Sequence, residues 1–252
     1  MPSQAFAFTT LFTVAFATSL GPMPGQAAEF SGDSITAQHG NITVYPINHA
    51  TLALRWNATT IYVDPVGGAA RFKGLPAPGL ILLTDIHGDH LHKGTLEALA
   101  KPETKLVAPP AVAEQLPIGL RDRTVVLTNG QTGDVRGIPI AAVAAYNTTP
   151  ERQKFHAKGR GCGYVVTLGR KRVYISGDTE DIPEMRALKN IDVAFLCMNL
   201  PYTMTEEQAA NAVRAFKPKI VYPYHSRGSN TEKFKQLVGA DSGVEVRLPN
   251  WY

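Results

Sequence analysis

Short runs in which apolar and polar residues alternate open the patterned part of the chain. NITVYPI, TLALRW and TTIYVDP, between Asn41 and Pro65, are rich in β-branched and aromatic residues and are separated by Asn and His turns. Period two over such lengths predicts strands, and turns this tight between them predict an antiparallel meander. The pattern then changes. Gly79 to Thr84 is continuously apolar, the mark of a strand buried on both faces, and it runs straight into Asp85-Ile86-His87-Gly88-Asp89-His90. Gly94 to Lys101 predicts a short helix and KLVAPP a strand, while Thr124 to Ala145 predicts a further meander broken at Asn129-Gly130 and at Gly137.

The second half has the same style. CGYVVTL and KRVYISG flank Gly169-Arg170 as a hairpin, and DVAFLCMNL predicts a buried strand. Thr205-Glu206-Glu207-Gln208 fits a capping box that opens a helix reaching about Lys217, with Ala209, Ala212, Val213 and Phe216 on one face. KIVYPYH predicts another buried strand ending in a His, a helix runs from about Thr231 to Val238, and VEVRL closes the pattern. Strands in both halves with helices outside them predict an α/β (α+β) fold, a four-layer αββα sandwich of two mixed sheets. No Pro, Gly or Ser-rich linker divides residues 29–252, so they are expected to form one domain.

Composition narrows the classes. The 252 residues are 44% hydrophobic and 18% charged, enough to bury a sizeable core and too apolar for a disordered chain. The net charge of +4 comes without a run of like charge, which argues against a nucleic-acid partner. The first 28 residues hold no Lys, Arg, Asp or Glu; an apolar stretch from Phe6 to Leu20 precedes small residues at Gly25 to Ala28. This predicts a secretory leader cleaved near Ala27 or Ala28 and a protein exported to the periplasm or beyond, although no basic residue precedes the apolar stretch. No transmembrane helix is expected in the mature chain. Cys162 and Cys197 sit in strand-like runs and are expected as buried thiols, with a disulfide as the alternative that export permits. Sequons begin at Asn41, Asn57 and Asn147.

Asp85, His87, Asp89 and His90 place four metal-ligating side chains within six residues, immediately after a buried strand. Imidazole and carboxylate suit zinc, manganese or iron, and neighbours in a turn point in different directions, so one loop can serve two ions. His156, Asp178 in Ser176-Gly177-Asp178-Thr179, and His225 in Tyr224-His225-Ser226 lie after further β-rich segments.

T-D-I-H-G-D-H, followed downstream by S-G-D-T and Y-H-S, resembles the metallo-β-lactamase fold hydrolases, whose signature is H-x-H-x-D-H. The order and spacing agree over nearly all of the mature chain. Asn48-His49-Ala50-Thr51 and Val63-Asp64-Pro65 resemble the opening motifs of the branch with ascorbate-phosphate lactonase and N-acylphosphatidylethanolamine phospholipase D. The resemblance implies two divalent ions, zinc or manganese. His87 and His156 would hold the first, Asp89, His90 and His225 the second, and Asp178 would bridge them. Asp85 departs from the family, which has His there, so it serves as an oxygen ligand of the first ion or leaves that site weak. The implied chemistry is attack by a water that the cations acidify, with Asp89 and Asp178 as the catalytic carboxylates.

Around this set, His49 is expected beside the metals or facing substrate. Asp64 is either a turn residue or a support for the metal loop. His92 is expected to start a helix and His39 to lie at the surface. Tyr202, Met204, Trp251 and Tyr252 are core or pocket wall. Arg152, Lys154, Lys158 and Arg160 flank His156 and form either a solvated loop or a basic overhang that draws an anion. The expected function is hydrolysis of an ester, lactone or phosphoester of a small molecule or lipid. The rivals are a true β-lactamase and a non-catalytic secreted metal-binding or partner-binding protein that lost one metal site.

Overall fold

A computed structural model describes residue 1 and residues 32–252. Apart from Met1, the leader expected over residues 1–28 lies outside them. Seven strands form the first sheet: β1 (Asp33–Ile35), β2 (Ile42–Asn48), β3 (Thr51–Trp56), β4 (Thr59–Val63), β5 (Leu80–Leu82), β6 (Lys105–Ala108) and β7 (Thr124–Val126), hydrogen-bonded in that order. The second sheet holds β8 (Thr132–Val135), β9 (Ile138–Ala145), β10 (Gly161–Leu168), β11 (Lys171–Ile175), β12 (Val193–Cys197), β13 (Ile220–Tyr224) and β14 (Glu245–Val246), again in chain order. In each sheet the first four strands are antiparallel and the remaining pairings parallel.

The predicted opening meander is β2 to β4, with Trp56 paired to Thr59 across Asn57-Ala58. The Gly169-Arg170 hairpin is also present. Leu168 pairs with Lys171, and both turn residues have positive φ, at 52° and 64°. Glycine is required at the first of them, because a Cβ there would stand 2.3 Å from the Gln38 carbonyl oxygen. The stretch from Thr124 to Ala145 is not one meander. β7 lies parallel to β6 at the edge of the first sheet, and the chain then crosses to begin the second.

Both faces of the first sheet are buried, and alternation sorts its side chains. Leu52, Leu54, Ile61, Val63, Leu80 and Leu82 join second-sheet residues such as Tyr164, Val166 and Phe195 in the larger core. Ala53, Tyr62, Ile81 and Leu106 pack the other way, against Leu96, Val112, Leu116 and Leu120. That outer layer is α1 (Lys93–Leu99), α2 (Pro110–Ala113) and α3 (Ile118–Arg121). On the second sheet lie α4 (Pro183–Arg186), α5 (Glu206–Phe216) and α6 (Thr231–Val238). The sandwich is therefore the predicted αββα arrangement, and each fully buried Leu, Ile or Phe adds about 1.5–3 kcal/mol of hydrophobic stabilisation. The predicted capping box closes the start of α5: Thr205 Oγ1 accepts from Gln208 N, and Gln208 Oε1 from Thr205 N. His92 caps α1, its side chain accepting from Thr95 N. Cys162 and Cys197 are buried and unpaired, and burial raises each thiol to about 12.

Parallel strands place their carboxyl ends on one side, and the polar motifs follow those ends. Asp64 follows β4, Thr84 to His90 follow β5, Asp178 follows β11, Asn199 follows β12 and His225 follows β13. In open α/β sheets this is the side on which ligands bind.

Candidate metal centre

Every metal-ligand candidate from the sequence arrives at this one edge. Asp178 is at its centre. Its Oδ2 lies 3.1 Å from His156 Nε2, 3.3 Å from His90 Nε2 and 3.4 Å from His225 Nε2. Burial pushes this carboxyl up. The nearby His225 and His90 imidazoles, with His156 close by, more than offset it and hold Asp178 well below the usual carboxylate range.

Each imidazole is aimed by a group behind it. Asp64 is wholly buried and accepts from Thr84 N at 2.8 Å and Thr84 Oγ1 at 2.6 Å, while its Oδ2 takes His90 Nδ1 at 2.8 Å. A carboxylate only accepts, so Nδ1 donates to Asp64 and His90 Nε2 is turned inward, toward Asp178. Asp64 is thus bound to the loop that carries His90 rather than being only a turn residue. Asn199 Oδ1 does the same for His225 Nδ1 at 2.8 Å, and the Tyr202 carbonyl for His156 Nδ1 at 3.2 Å.

The buried set fits a cation. His90 Nε2 and Asp178 Oδ1 are both buried with no hydrogen-bond partner, a costly arrangement unless a positive charge completes it. One ligand atom each from His90, Asp178 and His225 lie within 4.8 Å of one another, and all three residues are buried. Asp85, His87 and His156 form a second such group, and His49, Asp89 and His225 a third. Burial pulls the His90 imidazole down, and Asp178 and Asp64 raise it well above its ordinary value. A cation at Nε2 would compete with that proton for the same lone pair.

Asp89 stands at the mouth with its side chain 45% exposed, 3.3 Å from His225 Nε2 and 3.5 Å from His49 Nε2. Partial burial raises it, but hydrogen bonds from His225 and His49 hold it far below its ordinary value. His49 has φ 52° and lies against His225, with 3.7 Å between ring centroids and a tilt of 31° between the rings. Its Nδ1 meets Tyr252 Oη at 2.9 Å, and Ser226 N donates to the same oxygen. Since Asp89 can only accept from Nε2, the Tyr252 hydroxyl is the donor to Nδ1. The cavity above these groups is about 310 Å³ and is walled further by Phe155 and Tyr202.

Asp85 is buried and engaged. Its Oδ1 lies 3.0 Å from His87 Nδ1 and accepts from His87 N at 3.1 Å, and both of its oxygens are 3.3 Å from Arg160 Nη2. Burial raises its carboxyl, while His87, His90 and Arg160 bring it below the ordinary value. The rest of the basic loop is also committed. Arg152 pairs with Glu180 at 2.6 Å, Lys158 pairs with Glu184 at 3.2 Å, and Lys154 lies over the Phe155 ring. Sequence reasoning missed Thr84 and Asn199, each of which follows an apolar strand directly, and gave Arg160 no specific partner. Asn147 is not a free sequon: it is buried, and its Nδ2 donates to the carbonyls of Arg152 and Tyr202.

Comparison with known proteins agrees with this geometry. The model of the beta-lactamase superfamily domain matches residues 43–225. The UPF0173 metal-dependent hydrolase of Thermococcus onnurineus is 31% identical over 203 residues, 75% of this chain and 89% of that one. A crystal structure from Parabacteroides distasonis, designated a metal-dependent hydrolase, is 42% identical with TM-score 0.80, covering 87% of this chain and 98% of its own. The metallo hydrolase Igni18 of Ignicoccus hospitalis shares the fold at 21% identity and TM-score 0.68, over 83% of this chain and 95% of its own. By sequence, by sheet order and by its crowded His and Asp edge, the chain belongs to the metallo-β-lactamase superfamily, as a metal-dependent hydrolase.

Proposed function

We propose that the chain hydrolyses an ester, lactone or phosphoester of a small molecule, with the reacting bond in the His and Asp cavity and an apolar portion resting on its rim. One observation carries the reading: His90 Nε2 and Asp178 Oδ1 are buried without hydrogen-bond partners, and Asp178 lines a cavity of about 310 Å³ together with His156 and His225. That volume is at the small end of ligand sites. Tyr202, which with Phe155 walls the cavity, is 46% exposed, which supports a substrate with an acyl or aromatic flank. The resemblance of the His49 and Asp64 motifs to the lactonase and phospholipase branch supports the same bond classes.

His90, Asp178 and His225 would hold the cation, zinc being favoured by two imidazoles and manganese by the carboxylate. A divalent ion there supplies Lewis acidity, making water more acidic and drawing electrons from the oxygen of the scissile bond. The protein does the positioning. Asp64, Asn199 and the Tyr202 carbonyl each take the Nδ1 hydrogen of an imidazole, so that Nε2 is the nitrogen a bound cation would meet. Asp89, ionised and at the mouth, accepts a hydrogen bond from the attacking water and orients it. His49, clamped by Tyr252, orients Asp89 in turn. The leader-like composition of residues 1–28 supports export, which N-terminal sequencing of the mature protein from its native host tests directly.

The test of substrate class is a panel of p-nitrophenyl esters, a p-nitrophenyl phosphodiester, simple lactones and a chromogenic β-lactam, with zinc or manganese added. Turnover of an ester, lactone or phosphodiester that chelator abolishes and metal restores is expected. Turnover of the β-lactam alone would replace this reading with the lactamase one.

A further inference from the structure

The sequence resemblance places the first of two ions among Asp85, His87 and His156. The geometry assigns that place to a protein cation instead: we propose that the Arg160 guanidinium stands where that metal would, and that the chain binds one divalent ion, at His90, Asp178 and His225. This rests on the metal-dependent reading of the buried edge and adds the number of ions to it.

The contacts converge on one nitrogen. Arg160 Nη2 lies 3.3 Å from each oxygen of Asp85, 3.4 Å from His87 Nε2, and bonds the Phe155 carbonyl. His87 turns Nδ1 to Asp85 Oδ1, so the nitrogen it would offer a metal is the one that faces the guanidinium. The Asp85 side chain is 3% exposed, and a buried carboxylate needs a partner charge. Arg160 supplies that charge in an environment where guanidinium is never neutral.

Backbone packing makes the encounter unavoidable. Cys162 N donates to the Thr84 carbonyl at 3.0 Å, laying the start of β10 against the metal loop. Between them Gly161 leaves no room for a side chain, since a Cβ there would be 2.8 Å from Asp85 Oδ2 and 3.0 Å from Thr84 O. The residue before Gly161 is therefore delivered to Asp85. The charges point the same way. Asp64, Asp85, Asp89 and Asp178 carry four negative charges, which one divalent ion with one guanidinium reduces to one. Two divalent ions with Arg160 in place would leave a net positive charge beside a fixed guanidinium, which the Coulomb term opposes.

The test is metal content. The full chain is stripped, reloaded with excess zinc, freed of loose ion by gel filtration and measured by elemental analysis, with cobalt titration followed by visible absorption as a second readout. The expected result is about one ion per wild-type chain, and about two for Arg160→Ala and for Arg160→Leu, which keeps the apolar stem should the smaller variant fail to fold. Adding Asp85→Asn to either variant should return the content to one. Two ions in the wild type overturns the proposal, as does one ion in both wild type and a folded Arg160 variant. Absence of binding in every protein overturns the metal reading itself and this inference with it.

Discussion

The two sheets run the same course. In each, three antiparallel pairings are followed by three parallel ones, and the strands lie in chain order. Just past the fourth strand of each sheet stands a buried aspartate: Asp64 after β4 and Asp178 after β11. Their neighbours give them opposite work. Asp64 spends its oxygens on Thr84 and His90, all inside the protein, whereas Asp178 keeps Oδ1 unpartnered and gathers three imidazoles. The connections before the third strand differ too. The first half turns from β2 to β3 in two residues, His49 and Ala50, while residues 146–160 join β9 to β10 and carry His156 and Arg160. One scaffold thus supports a fully partnered carboxylate in one half and a partly open one in the other, and what decides between them is which donors meet the oxygens.

Removing each aspartate is the sharpest way to break this comparison. Asp178→Ala should bring tightly held zinc to background and lower chelator-sensitive hydrolysis on the order of 10³-fold, the scale of losing a preorganised electrostatic group. Full activity with metal retained would mean that the two halves are not divided as described. Asp64→Asn should act through His90 and the Thr84 backbone it anchors, lowering metal affinity by about 10–100-fold, the usual cost of losing a carboxylate behind a ligating His. Competition against a chelating dye measures it, and a loss as large as that of Asp178→Ala would erase the distinction between brace and ligand.

Smaller changes sharpen the account of the unequal loops. Tyr252→Phe deletes the hydroxyl that clamps His49; a net hydrogen bond of about 1 kcal/mol corresponds to about a five-fold fall in kcat/KM. Metal content should not move, and a fall in bound zinc would make His49 a ligand. In the longer loop, Glu180 accepts from Thr148 N and Thr149 N at 2.6 Å each and pairs with Arg152. Burial raises the Glu180 carboxyl, and these donors bring it below its ordinary 4.5. Its contribution is therefore complete above the unfolded value and is lost as pH falls from about 4.5 through the lower folded value. Glu180→Gln should lower Tm by about 2–4 °C at pH 7. That gap should narrow in acid, and a gap independent of pH would deny the carboxylate this role.

The repeated scaffold was more legible in the sequence than the division of labour on it. The β2 to β4 meander, the Gly169-Arg170 hairpin and the cap of α5 rest on local rules, period two, positive φ and a side chain reaching three residues along. The placement of β7 was not legible, because alternation says that Thr124 to Val126 is a strand and nothing about which sheet receives it. Helices of four residues, such as α2, α3 and α4, hold too few turns for a period to register. At the site, Asp85 to His90 announces itself by density. Arg160 does not, because its partner is 75 residues away and a basic residue among basic residues reads as a solvated loop. Asn199 is hidden similarly, since DVAFLCMNL reads as one apolar strand although its last polar residue aims His225.

The two thiols are placed to act as reporters. Cys162 lies one hydrogen bond from the metal loop, through Thr84, and Cys197 Sγ contacts the Thr179 carbonyl beside Asp178. With both raised to about 12 and both buried, almost no thiolate meets solvent while the sandwich is closed. Alkylation of this protein is therefore a clock for opening of the second sheet. The rate at which Cys162 and Cys197 take up label, with cation present and with it removed, times how often the edge that carries the site comes apart.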